Sequence, residues 1–218
     1  RPDLALSLDA ASLSGPDRAT LASCGVAYPR AGAAERLEVR LAQLEDTVAV
    51  SELAARTFPD ACPANLPQDA IEEHIATQLS ADVFDALISD PGRHRLFVAE
   101  VWGGLVGYVL THVGSEALPV DLVRPGRVEA GSAYLSKCYV DEAWRGSGIA
   151  DVLLERAVAD AGQAGHRAIV LGTNRGNKGA QAFYKRHGFR KRSTRTFDVG
   201  GVTNYDVVMV RDLTTPGE

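Results

Sequence analysis

The chain has few cysteines, few aromatic residues and no long apolar run. Its three cysteines, Cys24, Cys62 and Cys138, are odd in number and widely spaced, which argues against a disulfide framework and against zinc sites of the Cys-x-x-Cys type. This usage is typical of a reducing compartment, so we expect a cytoplasmic protein. No apolar stretch reaches the roughly 18 residues of a membrane span, and the sequence begins without the long apolar region of a signal peptide.

Positive charge is also scarce, because 23 Lys and Arg residues stand against 28 Asp and Glu residues and give a formal net charge of −5. Nucleic-acid binding needs clustered Lys and Arg, and only residues 185–195 are rich in them, a pattern more typical of a solvated helix end. We therefore expect neither nucleic acid nor a membrane as a partner. The hydrophobic content of 45% suffices for one globular domain with an extension.

The composition changes near residue 34. Residues 1–34 are rich in Ala, Ser, Gly and Pro and are interpreted as an N-terminal extension, partly ordered or flexible. Residues 35–213 are interpreted as the single domain, and residues 214–218 as a C-terminal tail. The domain begins with an alternating strand over 37–41, followed by a helix that carries Val48, Leu53 and Phe58.

Further along, the pattern alternates between helices and strands. We predict a helix pair between Pro67 and Pro91, a hairpin around 102–104 and a strand at "AYLSKCYV" after a loop over 114–131. A helix, the strand "RAIVLGT", the helix "NKGAQAFYKRHGF" and a hairpin around 200–201 complete the chain. This order predicts an α/β domain in which a parallel crossover is flanked by antiparallel hairpins.

The stretch "WRGSGIADVLLERAV" places Gly146 and Gly148 where a helix begins, although glycine disfavours helix. A strand, a glycine-rich loop and a helix present several backbone N–H groups at a positive helix end, where an anion such as a pyrophosphate fits. No Gly-Lys-Ser/Thr follows as in a Walker A loop, and Asp151 stands at the third glycine position of the dinucleotide fingerprint. A plain turn that starts a helix remains the alternative.

Two motifs in the correct order carry a resemblance to a known superfamily. Residues 145–150, Arg-Gly-Ser-Gly-Ile-Ala, resemble the R/Q-x-x-G-x-G/A loop of GNAT acyl-CoA N-acyltransferases, and "NKGAQAFYKRHGF" resembles their N-x-x-A-x-x-F-Y-x-x-x-G-F segment. The resemblance covers about residues 36–213. It implies a central mixed sheet of about six to seven strands flanked by helices, with splayed parallel strands at the acyl-CoA site. It also implies acetyl-CoA as the acyl donor, no metal, a small-molecule amine acceptor, and leaves a homodimer open.

The resemblance assigns Tyr184 as the catalytic acid beside the thioester sulfur. Backbone groups of Cys138, Tyr139 and Val140 would polarise the carbonyl, Asn177 would contact the pantetheine or nearby backbone, and Phe183 would pack near the cofactor. The full set of implied cofactor-binding residues is Cys138, Tyr139, Val140, Arg145, Gly146, Ser147, Gly148, Ile149, Ala150, Asn174, Asn177, Phe183 and Tyr184. From position alone, Asn177 is also predicted to cap the following helix, and Tyr184 is alternatively a core aromatic.

The general base is not evident from the sequence. Ser136 stands where many relatives carry Glu, and a serine does not act as a base alone, so a water chain or an acid such as Asp198 or Asp206 would substitute. Cys138 has no histidine at a recognisable motif spacing, and we interpret it as inert. The five histidines are scattered and do not indicate a catalyst.

The layout is most like that of PaiA-type polyamine N-acetyltransferases. Acids around Asp69, Glu72 and Glu73 would then favour a cationic amine, although a solvated helix face explains them equally well. An aminoglycoside, an amino acid or a protein N-terminus stays open as the acceptor. A catalytically silent acyl-CoA-binding regulatory module is the rival class, supported by Ser136 and opposed by Tyr184.

Overall fold

The computed structural model describes residues 6, 8–63, 66–119, 122, 128, 131–199 and 202–213, with the backbone alone described at 197–199 and 202. Within these ranges the chain forms six α-helices and nine strands. The helices are α1 (Gly15–Ser23), α2 (Thr47–Thr57), α3 (Gln68–Gln78), α4 (Ala81–Ser89), α5 (Ile149–Gln163) and α6 (Lys178–Arg186). The strands are β1 (Val26–Ala27), β2 (Glu35–Arg36), β3 (Glu38–Leu41), β4 (His94–Val101), β5 (Gly104–His112), β6 (Ala133–Val140), β7 (Ala168–Asn174), β8 (Arg190–Val199) and β9 (Val202–Asp212).

Seven strands form one mixed sheet in the order β3-β4-β5-β6-β7-β9-β8, and β1 and β2 pair separately. Every pairing in the large sheet is antiparallel except that of β6 with β7, which are joined by the crossover helix α5. This arrangement confirms the predicted α/β domain with a central mixed sheet of about six to seven strands.

The parallel pair β6–β7 is short. Its register runs only over Ala133–Ile169, Tyr134–Val170 and Leu135–Leu171, although both strands continue for several residues beyond. The β5 register shifts at the same level, because Leu110 pairs with Lys137 and Thr111 with Leu135, which leaves Ser136 as a bulge. Beyond this point β6 and β7 diverge, as the resemblance implied for the acyl-CoA site.

Each face of the sheet has its own apolar core. On one face, leucines of α5 pack with β6 and with Tyr184 and Phe189 at the end of α6. On the other face, Leu53 of α2 and Phe84 of α4 pack against β4 and β5. Because successive side chains of a strand point to opposite faces, β6 contributes to both cores.

The extension folds onto the domain. Ser14 caps α1 in a capping box with Asp17, and Pro16 occupies the first turn, which explains why a helix begins there. Ala22 of α1 and Ala27 of β1 belong to the core that contains α5. Residues 8–34 are thus packed on the domain, and the domain boundary at residue 34 stays a prediction.

The predicted elements match the observed ones closely from β4 onward. The strand "AYLSKCYV" is β6 and the hairpin around 102–104 joins β4 to β5, while the final hairpin turn at 200–201 and positions 120–121, 123–127 and 129–130 of the predicted loop lie outside the described residues. The phase of α2 was partly wrong, because Val48 is 60% exposed and Val50 is buried instead. Among the described helices, none has the length and apolar character needed to cross a membrane.

Candidate active site

A cavity of about 670 Å³ opens where β6 and β7 diverge. One wall is β6 from Leu135 to Val140, the opposite wall is the end of β7 with the start of α6, and residues after α2 close the side. Backbone groups of both strands face this gap without a strand partner, since the parallel register ends at Leu135 and Leu171. An extended polar molecule can therefore hydrogen-bond to the main chain inside the sheet.

The glycine-rich loop lies at the mouth of this cavity, where α5 begins. Gly148 is the N-cap of α5 in the left-handed conformation, with φ of 88°. Within the described part of the chain, the amides of Gly146, Gly148 and Ala150 have no hydrogen-bond acceptor. Three unsatisfied N–H groups at a positive helix end form an anion-binding site. The predicted pyrophosphate position lies at these amides and stays a prediction, as does the alternative of a simple helix-starting turn.

A second cavity, of about 660 Å³, continues from the first on the far side of the loop. The two share Val140, Arg145, Gly146, Ala150 and Phe183. The outer wall comes from the extension, through Gly15, Pro16 and Ala19 of α1. Sequence analysis missed this contribution, because nothing in the extension resembles the superfamily motifs.

The extension also explains one of the loop glycines. A Cβ atom on Gly148 would lie 2.6 Å from the carbonyl oxygen of Arg18 and 2.7 Å from Cα of Ala19. At Gly146, whose φ is 81°, a Cβ would meet no atom within 4 Å. Gly148 is therefore required by the close approach of α1, and Gly146 by its backbone conformation alone.

Most of the predicted site residues meet at this groove. Ser147 and Ile149 do not, because Ser147 is buried with its Oγ accepting from the Ile149 amide at 3.3 Å, and Ile149 packs in the core. Asn177 caps α6 by accepting from the Ala180 amide at 2.9 Å, as predicted. The predicted residues that line the first cavity are Cys138, Tyr139, Val140, Arg145, Gly146, Ala150, Asn174, Asn177, Phe183 and Tyr184, and Gly148 lines the second.

Tyr184 and Cys138 both line the first cavity. Burial raises the pKa of Tyr184 well above its usual range, with smaller effects from Cys138 and two further tyrosines. Among the described residues the Tyr184 hydroxyl has no hydrogen-bond partner, so it is available to a ligand. Burial raises the pKa of Cys138 to about 12, so its thiol stays protonated, which agrees with the interpretation of an inert cysteine.

The residues considered in connection with the general base lie in different parts of the structure. Asp206 is 6% exposed and accepts from Arg195 Nη2 at 3.1 Å, and it does not line the first cavity. This pair crosses over Gly172 of β7, where a Cβ would lie 2.8 Å from Arg195 Nη2 and from Asp206 Oδ2. The side chain of Asp198 lies outside the described residues. Ser136 lines the first cavity at the β6 bulge.

Charged residues that sequence analysis did not single out complete the cavity. Asp60, after α2, accepts from Arg145 of the loop, and Lys137 of β6 lines the wall beside Cys138. The only signal for Lys137 was a lysine inside an otherwise apolar strand. By contrast Asp69, Glu72 and Glu73 are exposed on α3, and none lines either cavity.

The histidines lie outside the first cavity. His187 contacts Asp151 and Glu155 at 2.9 Å each and lines the second cavity. His94 and His112 approach each other at 2.7 Å between their Nδ1 atoms. Burial, helped by His94 and Lys137, lowers the pKa of His112 from 6.5 to about 4. Among the described residues, no three His, Cys, Asp or Glu side chains converge as a metal site requires.

The lowered pKa of His112 predicts a loss of stability in mild acid. Between pH 6.5 and about 4 the unfolded chain binds a proton at His112 that the folded chain does not, so the free energy of unfolding falls as pH falls through this window. We expect His112→Asn to remove on the order of 1 kcal/mol of the decrease between pH 7 and pH 5. Urea denaturation of both proteins at the two pH values measures this, and parallel pH profiles would contradict it.

Comparisons with known proteins agree with this geometry. A model of the acetyltransferase (GNAT) family matches residues 49–189. The chain is 32% identical over 170 residues to uncharacterised N-acetyltransferases of Mycobacterium bovis and Mycobacterium tuberculosis, covering 78% of this chain and 99% of each relative.

Solved structures share the fold. A PaiA N-acetyltransferase from Thermoplasma acidophilum in complex with coenzyme A superposes with a TM-score of 0.64 at 19% identity, covering 81% of this chain and 98% of that one. The ribosomal-protein-S18-alanine N-acetyltransferase from Escherichia coli gives a TM-score of 0.58 at 17% identity, covering 84% and 97%. With the matched family model and the mycobacterial relatives, these findings show that the chain belongs to the GNAT family of acetyltransferases.

Proposed function

We propose that this protein transfers an acetyl group from acetyl-CoA to a primary amine. The proposal rests on three features that lie in one groove. They are the amides at the start of α5 and the hydroxyl of Tyr184, which have no hydrogen-bond partner among the described residues, and the gap between β6 and β7. The family's acetyltransferases and the coenzyme A complex of the similar PaiA structure support the same donor.

Different parts of the groove would hold different parts of an elongated acyl donor. The amides of Gly146, Gly148 and Ala150 would hold the pyrophosphate. The gap between β6 and β7 would take the pantetheine, whose amides match the unpaired backbone groups there. The second cavity, walled by α1, is left for the nucleotide end.

In the proposed reaction the acetyl group passes directly from acetyl-CoA to the acceptor amine. The acceptor nitrogen forms a bond to the acetyl carbon, the carbon–sulfur bond breaks, and the sulfur takes a proton while the nitrogen loses one. Backbone N–H groups of β6 between Cys138 and Val140 would polarise the carbonyl, and Tyr184 would supply the proton to sulfur. Cys138 forms no acyl intermediate in this proposal, because its thiol stays protonated.

The proton lost by the amine would leave through water. Asp60 is the one carboxylate among the described residues that line the first cavity, and Arg145 already engages it. Ser136 at the bulge would hold a water rather than act as a base. We favour acetyl transfer over the silent-module alternative, because the described residues leave the Tyr184 hydroxyl and the loop amides available to a ligand.

The class of amine is the finer question. A polyamine is the acceptor suggested by the likeness to PaiA proteins, but at 19% identity that likeness supports the fold alone. Moreover, the acids of α3 that would attract a polyamine lie outside the cavity. An aminoglycoside, an amino acid and a protein N-terminus stay as candidates, and a cytoplasmic location and a homodimer stay predictions.

The donor site is tested by ligand-induced stabilisation. At a free CoA concentration one hundred times its dissociation constant, we expect the free energy of unfolding to rise by about 2.7 kcal/mol. Ala150→Asp places a carboxylate in the first turn of α5, where it stabilises the helix but repels a pyrophosphate. We expect this variant to keep the stability of the free protein and to lose most of the CoA-induced shift in a melting experiment.

Ala70→Asp is the matched control, because it adds the same carboxylate to the first turn of α3, away from both cavities. It should keep the full CoA-induced shift. Equal shifts in all three proteins, or none in the unmodified one, would contradict the pyrophosphate site.

A further inference from the structure

Lys137 has no evident structural role in the site described above. It stands opposite Leu110 in the β5–β6 register, so its side chain lies on the sheet face that carries α2 and α4, away from α5. Its side chain is half-buried and lines the first cavity, next to the strand residues that would polarise the acetyl carbonyl. A lysine in such a place usually has a carboxylate partner.

The described residues offer Lys137 no such partner. Lys137 makes no hydrogen bond or ion pair with any of them. Asp60, the one carboxylate among the described residues that line the first cavity, is already paired with Arg145. Among the described residues that line the cavity, the charges of Asp60 and Arg145 cancel and the positive charge of Lys137 is left over.

The charge of Lys137 lowers the pKa values of two neighbouring histidines. Burial lowers the pKa of Lys137, and no acid contributes in the opposite direction. The pKa of His74 is lowered by burial and then by Lys137, and Lys137 also contributes to the lowered pKa of His112. The two histidines that respond to Lys137 do not neutralise its charge, because an imidazole near an ammonium is held in its neutral form.

We propose that the amine acceptor carries a carboxylate and that Lys137 binds this carboxylate beside the reacting amine. The inference rests on the proposed acetyl transfer and specifies its substrate class: a small amine of the amino-acid type. Binding would pair the ammonium with the one charge that the cavity lacks, in a partly desolvated place where charge-assisted hydrogen bonds are strong. A polyamine would instead bring a second positive charge to the same wall.

Acceptors that differ only in the carboxylate test whether Lys137 binds that group. Amino acids and their carboxamides present the same amine with and without the carboxylate, and spermidine and an aminoglycoside supply cationic amines. With saturating acetyl-CoA, release of the CoA thiol gives kcat/KM for each. We expect at least one amino acid to exceed its carboxamide by about 10-fold or more.

Variants at Lys137 separate binding of the carboxylate from other roles. Lys137→Gln should lower kcat/KM for that amino acid by about 10- to 100-fold, mainly through KM, and change the carboxamide by less than about 3-fold. Lys137→Arg should retain most of the preference, because arginine also binds carboxylates. Lys137→Glu should reverse it toward cationic amines. Lys191→Gln removes the same charge from an exposed position on β8 and should leave both values unchanged.

The failures are distinguishable. Turnover of carboxamides or polyamines without any amino acid overturns this inference and leaves the acetyl transfer in place. Equal losses with every amine in both Lys137→Arg and Lys137→Gln, in proteins that melt normally, would make Lys137 a general base and also overturn it. If no amine of any class releases thiol, the acetyl transfer itself fails, and the inference fails with it.

Discussion

Replacing Tyr184 with phenylalanine is expected to lower turnover by roughly 10²-fold or more, within the usual range for loss of a general acid. The ring packs among Phe183, Phe189 and the core beneath α6, and phenylalanine keeps that packing. Only the hydroxyl is lost, and among the described residues it has no hydrogen bond to lose. CoA binding and stability should therefore stay nearly unchanged while kcat and kcat/KM fall together.

The matched control is Tyr205→Phe, since Tyr205 lies on β9, is 50% exposed and lines neither cavity. Steady-state turnover and a CoA melting shift on both variants give the comparison. Full turnover in Tyr184→Phe, or a joint loss of CoA affinity and stability, would assign Tyr184 to packing and the proton to solvent.

The raised pKa of Tyr184 adds a condition on pH. An acid acts only while it is protonated, and burial moves its pKa above 10. Activity that depends on this phenol should not fall between pH 7 and about pH 10. A decrease centred below pH 9 that disappears in Tyr184→Phe would mean that the hydroxyl titrates in a more polar setting than the structure shows.

The second large effect is expected at the loop. Gly148→Ala should lower the free energy of unfolding by roughly 2 to 5 kcal/mol, because a left-handed backbone costs an ordinary residue about 1–2 kcal/mol and forcing an extra carbon against packed backbone costs about 1–3 kcal/mol more. The obstructing atoms belong to the α1 backbone at Arg18 and Ala19, which cannot turn aside as a side chain does.

Gly146→Ala is its control, as it has a similar φ with open space around the added carbon. In Gly146→Ala the free energy of unfolding should fall only by the cost of the left-handed backbone conformation. Denaturant unfolding without CoA compares the two, and equal losses would mean that α1 does not rest on the loop. Because of this packing, substitution at Gly148 is a poor test of the pyrophosphate site, and Ala150→Asp is the better one.

The sequence sufficed for elements with local signals. Asn177 before a helix, the glycines around Trp102 and the apolar alternation of β6 each depend on near neighbours, and each was placed correctly. The motif residues converge because strand, loop and helix follow one another directly along the chain. Such arrangements are encoded within a few residues of one another.

Features that depend on distant parts of the chain were missed. Nothing near Gly148 shows that a helix more than a hundred residues earlier rests on it. The burial of Asp206 depends on Arg195 across the β8–β9 pair. The unmatched charge of Lys137 is recognised only once Asp60 is paired with Arg145. Charge balance in a cavity is a three-dimensional property, so local patterns did not reveal it.

The short pairing of β6 with β7 has a consequence for how the sheet meets other chains. An open sheet normally has two edges with unpaired backbone groups, which invite foreign strands. Here the separation beyond Leu135 and Leu171 creates two further edges inside the sheet, facing each other. Each of these inner edges blocks the approach of a foreign strand to the other edge. The gap between β6 and β7 therefore admits a thin, flexible molecule and excludes a β-strand of another protein. The opening that we propose for the acyl donor is thereby protected from edge-to-edge aggregation.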